Sequence, residues 1–409
     1  MSETILIHYS GADRPGLTTQ LTGILAEFGA GVLDIHQASV QGMLVLGLLI
    51  ELPAGQGSES LWDRLTPHAD ALKLKVMFTR MDPEAVEAWV RERDGESYVA
   101  TVMGREISAL VLSRVAGILA EHGLNIGRID ELSGPRSLRQ KASETAQVGS
   151  IGYACVEFHA RGQVRAEAAL RAELLALADE LATDMVFQRE DVFRRNRRMF
   201  VFDMDSTLIQ GEVIDELAKM LGVGEQVSLV TAAAMRGEIE FQESFRRRVA
   251  LLKGLPETRV FELLERIPLM EGAERLFTTL KRLGYKTAVL SGGFTFFGAY
   301  LKERLGVDYV FANELDIADG VVTGEVRGEI VDGARKAALL VELAEREGIS
   351  LEQVVAVGDG ANDLPMLKLA GMGVAFHAKP VVRAGAAHSL SYLGLDSLLY
   401  LVGVRDGDF

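Results

Sequence analysis

Three apolar runs in the C-terminal half of the chain have the length of buried strands, and each ends in polar residues. Phe200–Phe202 runs into Asp203, Asp205, Ser206 and Thr207. Lys286–Leu290 runs into Ser291, Gly292 and Gly293, and Val354–Val357 into Gly358, Asp359, Asn362 and Asp363. Unbroken apolar runs fit strands covered on both faces, as in parallel sheets. Such sheets hold ligands at the carboxyl ends of their strands, so the three polar endings point to one site. Between the first two runs, residues 212 to about 280 show only helical patterns, over Val213–Leu221, Gln226–Arg236, Phe241–Leu251 and Thr258–Arg266. A helical insertion just after the first strand predicts a cap above the site. Beyond Ser291 the pattern predicts a helix at Gly298–Leu305, a strand at Tyr309–Phe311 and a hairpin over 313–328 turning at Asp319 and Gly320. Lys336 lies in an otherwise apolar helical stretch, Ala334–Leu343. A helix at Leu364–Ala370 and a strand at Gly373–Phe376 close the series.

The N-terminal half reads differently. Residues 1–80 give strand, helix, strand, strand, helix and strand, with helices near Leu17–Phe28 and Leu61–Leu72. Two strand-like runs lie in Val40–Leu52 about a turn at Gln41 and Gly42. The βαββαβ order is the ferredoxin-like α+β pattern. A second copy spans 97–188: the heptad Gly23–Gly29 recurs as Gly117–Gly123 at an offset of 94 residues, and the match continues through Ile35 and Ile129. Met81–Gly95 reads as a charged helical connector, Ser133–Gln147 as a mobile polar loop, and the arginine-rich Arg189–Arg198 as a solvated linker into a third region, 198–409.

The 409 residues suggest two to four domains. A net charge of −15 argues against nucleic acid as partner, since phosphate binding needs a basic face. The single cysteine, Cys155, cannot form an internal disulfide and fits a reducing cytosol. No basic-then-apolar leader and no apolar run of membrane-spanning length stand out, so a cytoplasmic protein is expected.

Asp203 and Asp205 lie two positions apart at a strand end, where extended backbone would put both carboxylates on one side. Such a pair asks for a cation, and hard oxygen donors suit Mg²⁺. With Ser291 and Gly292, Lys336, and Asp359 to Asp363 following in order, residues 198–409 resemble the haloacid dehalogenase superfamily of phosphatases. The resemblance implies a Rossmann-like α/β core with a helical cap, working through an aspartyl-phosphate. Asp203 would be the nucleophile and Asp205 the acid and base. Mg²⁺ would sit on Asp203, Asp359 and the main-chain carbonyl of Asp205, with Asp363 orienting its water. Ser291, Gly292 and Lys336 would bind the phosphate. In the cap, Met235–Phe241 and Ser244–Val249 resemble phosphoserine phosphatases. That implies phosphoserine as substrate and the closing step of serine biosynthesis as role. Glu212 would take the ammonium and Arg248 the carboxylate, Asn362 would touch the head group, and Met235 and Phe241 would exclude water. Asp13, Gly16 and the glycine turns of both copies resemble ACT domains, implying a homodimer through residues 1–187 and L-serine as effector at the first copy. At the 94-residue offset Gly16 becomes Leu110, so the second copy should bind poorly. Alternatives are a homoserine phosphotransferase, a sugar or other small-metabolite phosphatase, and an amino-acid-sensing regulator with an inactive hydrolase region.

Overall fold

The computed structural model describes residues 2–93, 95–134 and 152–406. The expected loop over Ser133–Gln147 lies, after its first two residues, outside them. The chain forms two compact units, 1–95 and 96–409.

The first unit holds β1 (Glu3–Ala12), α1 (Leu17–Glu27), β2 (Gly31–Val40), β3 (Met43–Leu52), α2 (Ser58–Ala71), β4 (Leu74–Met81) and α3 (Pro83–Arg93). Its antiparallel sheet runs β2-β3-β1-β4. Alternate residues Ile5, Ile7 and Tyr9 of β1 and Leu44 to Ile50 of β3 face α1 and α2, and bury Leu17, Leu21, Leu61 and Leu65 between the layers. Gln41 and Gly42 take positive φ and turn β2 into β3, as their sequence suggests. Strand β2, however, begins nine residues before Val40. Apolar residues Val32, Ile35 and Val40 along it stay exposed, so no alternation marks it.

The second unit opens with the same topology: β5 (Ser97–Gly104), α4 (Ala109–Glu121), β6 (Leu124–Glu131), β7 (Ala154–Gly162), α5 (Glu167–Leu181) and β8 (Asp184–Arg189), in sheet order β6-β7-β5-β8. One face of this sheet packs on α4 and α5. The other contributes Met103, Cys155 and Val186 to the large core shared with Leu398–Val402 near the C-terminus. The join is also polar. The Asp184 carboxylate accepts from the amides of Ser391, Tyr392 and Leu393, and Gln188 Nε2 donates to Leu401 at 3.2 Å. The arginine-rich stretch is not a solvated linker throughout. Arg194 is buried against Glu157 and Glu190, and Arg197 against the Glu352 carbonyl.

Next come β9 (Met199–Phe202), α6 (Val213–Leu221), α7 (Gly224–Met235), α8 (Phe241–Ala250), α9 (Glu257–Glu262), α10 (Ala273–Arg282) and β10 (Lys286–Phe294). They are followed by α11 (Thr295–Leu305), β11 (Tyr309–Ala318), β12 (Val321–Arg327), α12 (Gly333–Glu347) and β13 (Val354–Gly358). α13 (Leu364–Leu369), β14 (Met372–Phe376), α14 (Pro380–Gly385), β15 (His388–Leu390) and α15 (Leu398–Leu401) end the chain. The sheet order is β12-β11-β10-β9-β13-β14-β15, parallel except for β12. Ile209 bridges Leu269, so the helical insertion closes about ten residues before 280 and α10 packs with the core. A short strand, β15, extends the sheet beyond the run Gly373–Phe376 that was expected to end it.

Candidate active site

β9 lies at the centre of the sheet with β10 and β13 beside it, so the three polar strand ends converge. Lys336 on α12 is wholly buried, and its ammonium lies 2.8 Å from Asp203 and 2.7 Å from Asp363. Burial opposes that charge, but Asp203 and Asp363 outweigh it and raise the Lys336 pKa above its ordinary value. Carboxylate oxygens of Asp203, Asp359 and Asp363 lie within 4.8 Å of one another. Burial, with Asp363 and Asp359, pushes Asp203 well above the usual carboxylate range despite Lys336. Burial, Asp363 and Glu212 push Asp359 up to about 7. Three carboxylates thus face one lysine. Their excess negative charge and all-oxygen donors fit a small hard cation such as Mg²⁺.

The cluster of carboxylates found together among the described residues is Asp203, Asp359 and Asp363, and the Asp205 side chain is not part of it. Past β9 the chain leaves extended geometry, with Ser206 at positive φ. Asp205 turns to accept the Val213 amide at the start of α6 at 3.1 Å and lies over Gly293, where any side chain would collide with it. Burial and Glu212 raise Asp205 well above its normal range. Ser291 is buried, and its Oγ accepts from the Gly293 amide at 2.9 Å, which leaves its own proton to donate.

At the cap side, Glu212 precedes α6 and receives the Ser206 hydroxyl at 3.4 Å. Its side chain meets solvent on one side, yet crowding and Asp215 raise its pKa, with Arg248 opposing. Arg246 and Arg247 are exposed, and Arg247 pairs with Glu243. Arg248 turns inward, where burial lowers its pKa while Glu212, Asp215 and Asp205 support its charge. Its buried Nε has no hydrogen-bond partner among the described residues. Phe241 is half-buried, its ring 3.3 Å from where a Cβ on Gly292 would lie. Asn362 is half-buried in the turn before Asp363. Met235 departs from its expected place: it is 68% exposed at the end of α7, with its sulfur 3.9 Å from the Lys379 ammonium.

Three residues at the site were not singled out from the sequence. Thr207 Oγ1 donates to Asp359 at 3.1 Å, and its place in the run after Asp203 was the available signal. Gln242 Nε2 donates to Asp332 at 2.7 Å, joining α8 to the start of α12. Asn313 binds the Gly292 loop. Only long-range geometry reveals these last two.

A haloacid dehalogenase-like hydrolase model matches residues 198–371 and an ACT domain model matches 3–79. A phosphoserine phosphatase of Streptomyces coelicolor is 42% identical over 98% of this chain and 92% of its own. One from Mycobacterium tuberculosis is 38% identical over 99% and 94%. The chain belongs to the phosphoserine phosphatase family. Its architecture matches the solved structure of a probable phosphoserine phosphatase from Vibrio cholerae, with TM-score 0.59 and 35% identity over 76% of this chain and 88% of that one. A haloacid dehalogenase family hydrolase from Salmonella enterica serovar Typhi gives TM-score 0.63 and 32% identity over 75% and 99%. The protein is thus a phosphatase with a capped α/β hydrolase core and ACT-type α+β domains before it. Among the described residues no helix is long and apolar enough to cross a membrane.

In the first unit, the proposed effector residues Asp13 and Gly16 lie in one exposed loop. Gly16 precedes α1 at φ 88° and gives the first turn of the helix no side-chain cap. In the second copy Ser108 caps α4, accepting from Val111, and Leu110 lies within the helix.

Proposed function

We propose that the protein hydrolyses O-phospho-L-serine to L-serine and phosphate. The observation that carries this reading is Arg248. It is the one inward-turned member of three consecutive arginines, and its guanidinium feels Glu212 beside the buried Asp203–Lys336 centre. A zwitterionic head needs one anion and one planar cation, and this pair supplies both. Asn362 would contact the head group from the β13 side, and Phe241 would keep water from the phosphate. Met235 is proposed to join this wall only if the end of α7 moves inward.

Asp203 attacks phosphorus and forms an acyl phosphate. The departing seryl oxygen takes its proton from Asp205, whose raised pKa suits a carboxyl that carries one. Asp205 then takes a proton from the water that cleaves the acyl phosphate, which restores both groups. Lys336, the Ser291 hydroxyl and the Gly292 amide are placed to offset charge on the phosphoryl oxygens. Asp203, Asp359 and the Asp205 carbonyl would hold Mg²⁺, which would polarise the phosphoryl group, with Asp363 orienting its water.

The helix start at Gly16, which no side chain of its N-cap residue covers, supports L-serine as a feedback effector at the first copy, binding through its carboxylate. The exposed apolar residues of β2 and β3, among them Ile35, Val40, Met43 and Val45, support a homodimer through the N-terminal half. We keep the three-region division at 1–80, 97–188 and 198–409, and a cytoplasmic setting, as parts of this reading.

The deciding experiment measures phosphate release from phosphoserine, phosphohomoserine, phosphoethanolamine and sugar phosphates, with and without Mg²⁺. Phosphoserine should be fastest, and chelation should abolish turnover until Mg²⁺ returns. Faster turnover of an ester without ammonium and carboxylate would overturn the substrate. For the effector, L-serine is titrated calorimetrically into Asp203→Asn protein with and without Gly16→Val. Two classes of site should become one. A single class with Gly16 intact would make the N-terminal unit a dimerisation device only.

A further inference from the structure

We infer that Asn313, on β11, is a positioning residue that sets the spacing between the two halves of the phosphate cradle; this rests on the phosphatase reading above. Between Leu290 and Phe294 the β10–β11 ladder loses register, so Ser291, Gly292 and Gly293 have no ladder partners on β11. The Asn313 side chain, 1% exposed, takes over that hold. Its Nδ2 donates to the Gly292 carbonyl at 2.8 Å, and its Oδ1 accepts from the Val331 amide at 2.8 Å. Main-chain groups occupy both ends, so the amide has one orientation and each of its ends is used. Val331 adjoins Asp332, which caps α12 and receives Gln242 from the cap. Lys336 follows one turn later, with its ammonium on Asp203 and Asp363. One buried amide therefore ties the Gly292 loop to the helix that carries Lys336. Donors for a developing oxyanion act only over a narrow range of distance, and a displacement of about 1 Å can cost on the order of a hundredfold in rate.

The test compares wild type with Asn313→Asp, which sets a carboxylate against the Gly292 carbonyl, and Asn313→Ser, which cannot span both partners and buries no charge. Calorimetry with orthovanadate and Mg²⁺ should show binding weakened by about ten- to a hundredfold in both. kcat for phosphoserine should fall by a similar factor while KM, held also by the head group, moves by about threefold or less. Unfolding midpoints should stay well above the assay temperature, so that lost folded protein does not account for the effect. Wild-type orthovanadate binding in Asn313→Ser would overturn the proposal. So would kcat and KM changes in equal proportion, or failure of both variants to fold, which would make Asn313 a scaffold residue only. A wild type that binds orthovanadate but does not hydrolyse phosphoserine would sink the substrate and leave the Asn313 result readable. A wild type that does neither would sink the phosphatase reading and this inference with it.

Discussion

Arg248 shows how much a single side chain's direction decides. Residues 246 to 248 carry the same charge, but the α8 face that buries Ser244, Phe245 and Val249 can take only one of them inward. Arg248→Ala should therefore remove a charge-assisted contact of about 1.5–3 kcal/mol, roughly ten- to a hundredfold in kcat/KM for phosphoserine. Phosphoethanolamine, which lacks the carboxylate, should be nearly indifferent; equal losses on both esters would make Arg248 structural. Asp203→Asn should abolish turnover with the fold retained, as followed by phosphate release and circular dichroism. Asp203, Ser291 and Asp359 were legible as candidates because they follow apolar strand-like runs, and Lys336 because it lies in an otherwise apolar helical stretch. Met235 and Phe241 looked equivalent in the sequence, yet one is exposed and the other lies on Gly292. Apolar character alone does not say which way a residue near a turn will point.

At the scale of elements, the cap meets the core through main-chain bonds between residues 254–257 and 320–322 and through a side-chain bond from Gln242. Gln242 to Asp332 is exposed and joins α8 to the capping residue of α12. Gln242→Ala should loosen that closure and lower kcat/KM by about three- to tenfold, a contact of roughly 1 kcal/mol, without shifting the unfolding midpoint. A shift in midpoint with unchanged kinetics would count against a closing role. The junction of α5 with β15 gives a pH prediction. His388 is buried, and Arg171 Nη1 lies 3.3 Å from its Nδ1. Burial, then Arg171, depress its pKa to about 3, so the folded protein keeps it neutral while the unfolded chain protonates it near 6.5. Stability from this group is complete above that value and drains away as pH falls towards 3. Urea unfolding should show a loss of about 2 kcal/mol between pH 6.5 and 4.5 that His388→Gln lacks. Parallel strands and long amphipathic helices were legible from their periods. β15 was not, at three residues, nor was β2, whose side chains are exposed on both faces.

For the molecule as a whole, the two βαββαβ copies are alike in sequence and unlike in situation. The repeat was plain in the chain, but nothing local says that one copy buries the outer face of its sheet against the catalytic core. Deletion of 1–95 should leave a soluble, catalytically active 96–409 that has lost its response to L-serine. Deletion of 1–190 should instead expose core around Leu398–Val402 and drive the remainder into aggregates, as size-exclusion chromatography would show; a soluble, active 191–409 would contradict the shared core. That shared core also fixes a time order. Met103, Cys155 and Val186 leave the ribosome more than two hundred residues before Leu398–Val402, a segment of the core that covers them. Throughout synthesis of the catalytic region the second copy therefore carries a bare apolar sheet face, while the first copy, complete by residue 95, can fold at once. Translation of Leu398–Val402 is the moment at which that sheet face can be covered and stops being a substrate for chaperones and proteases.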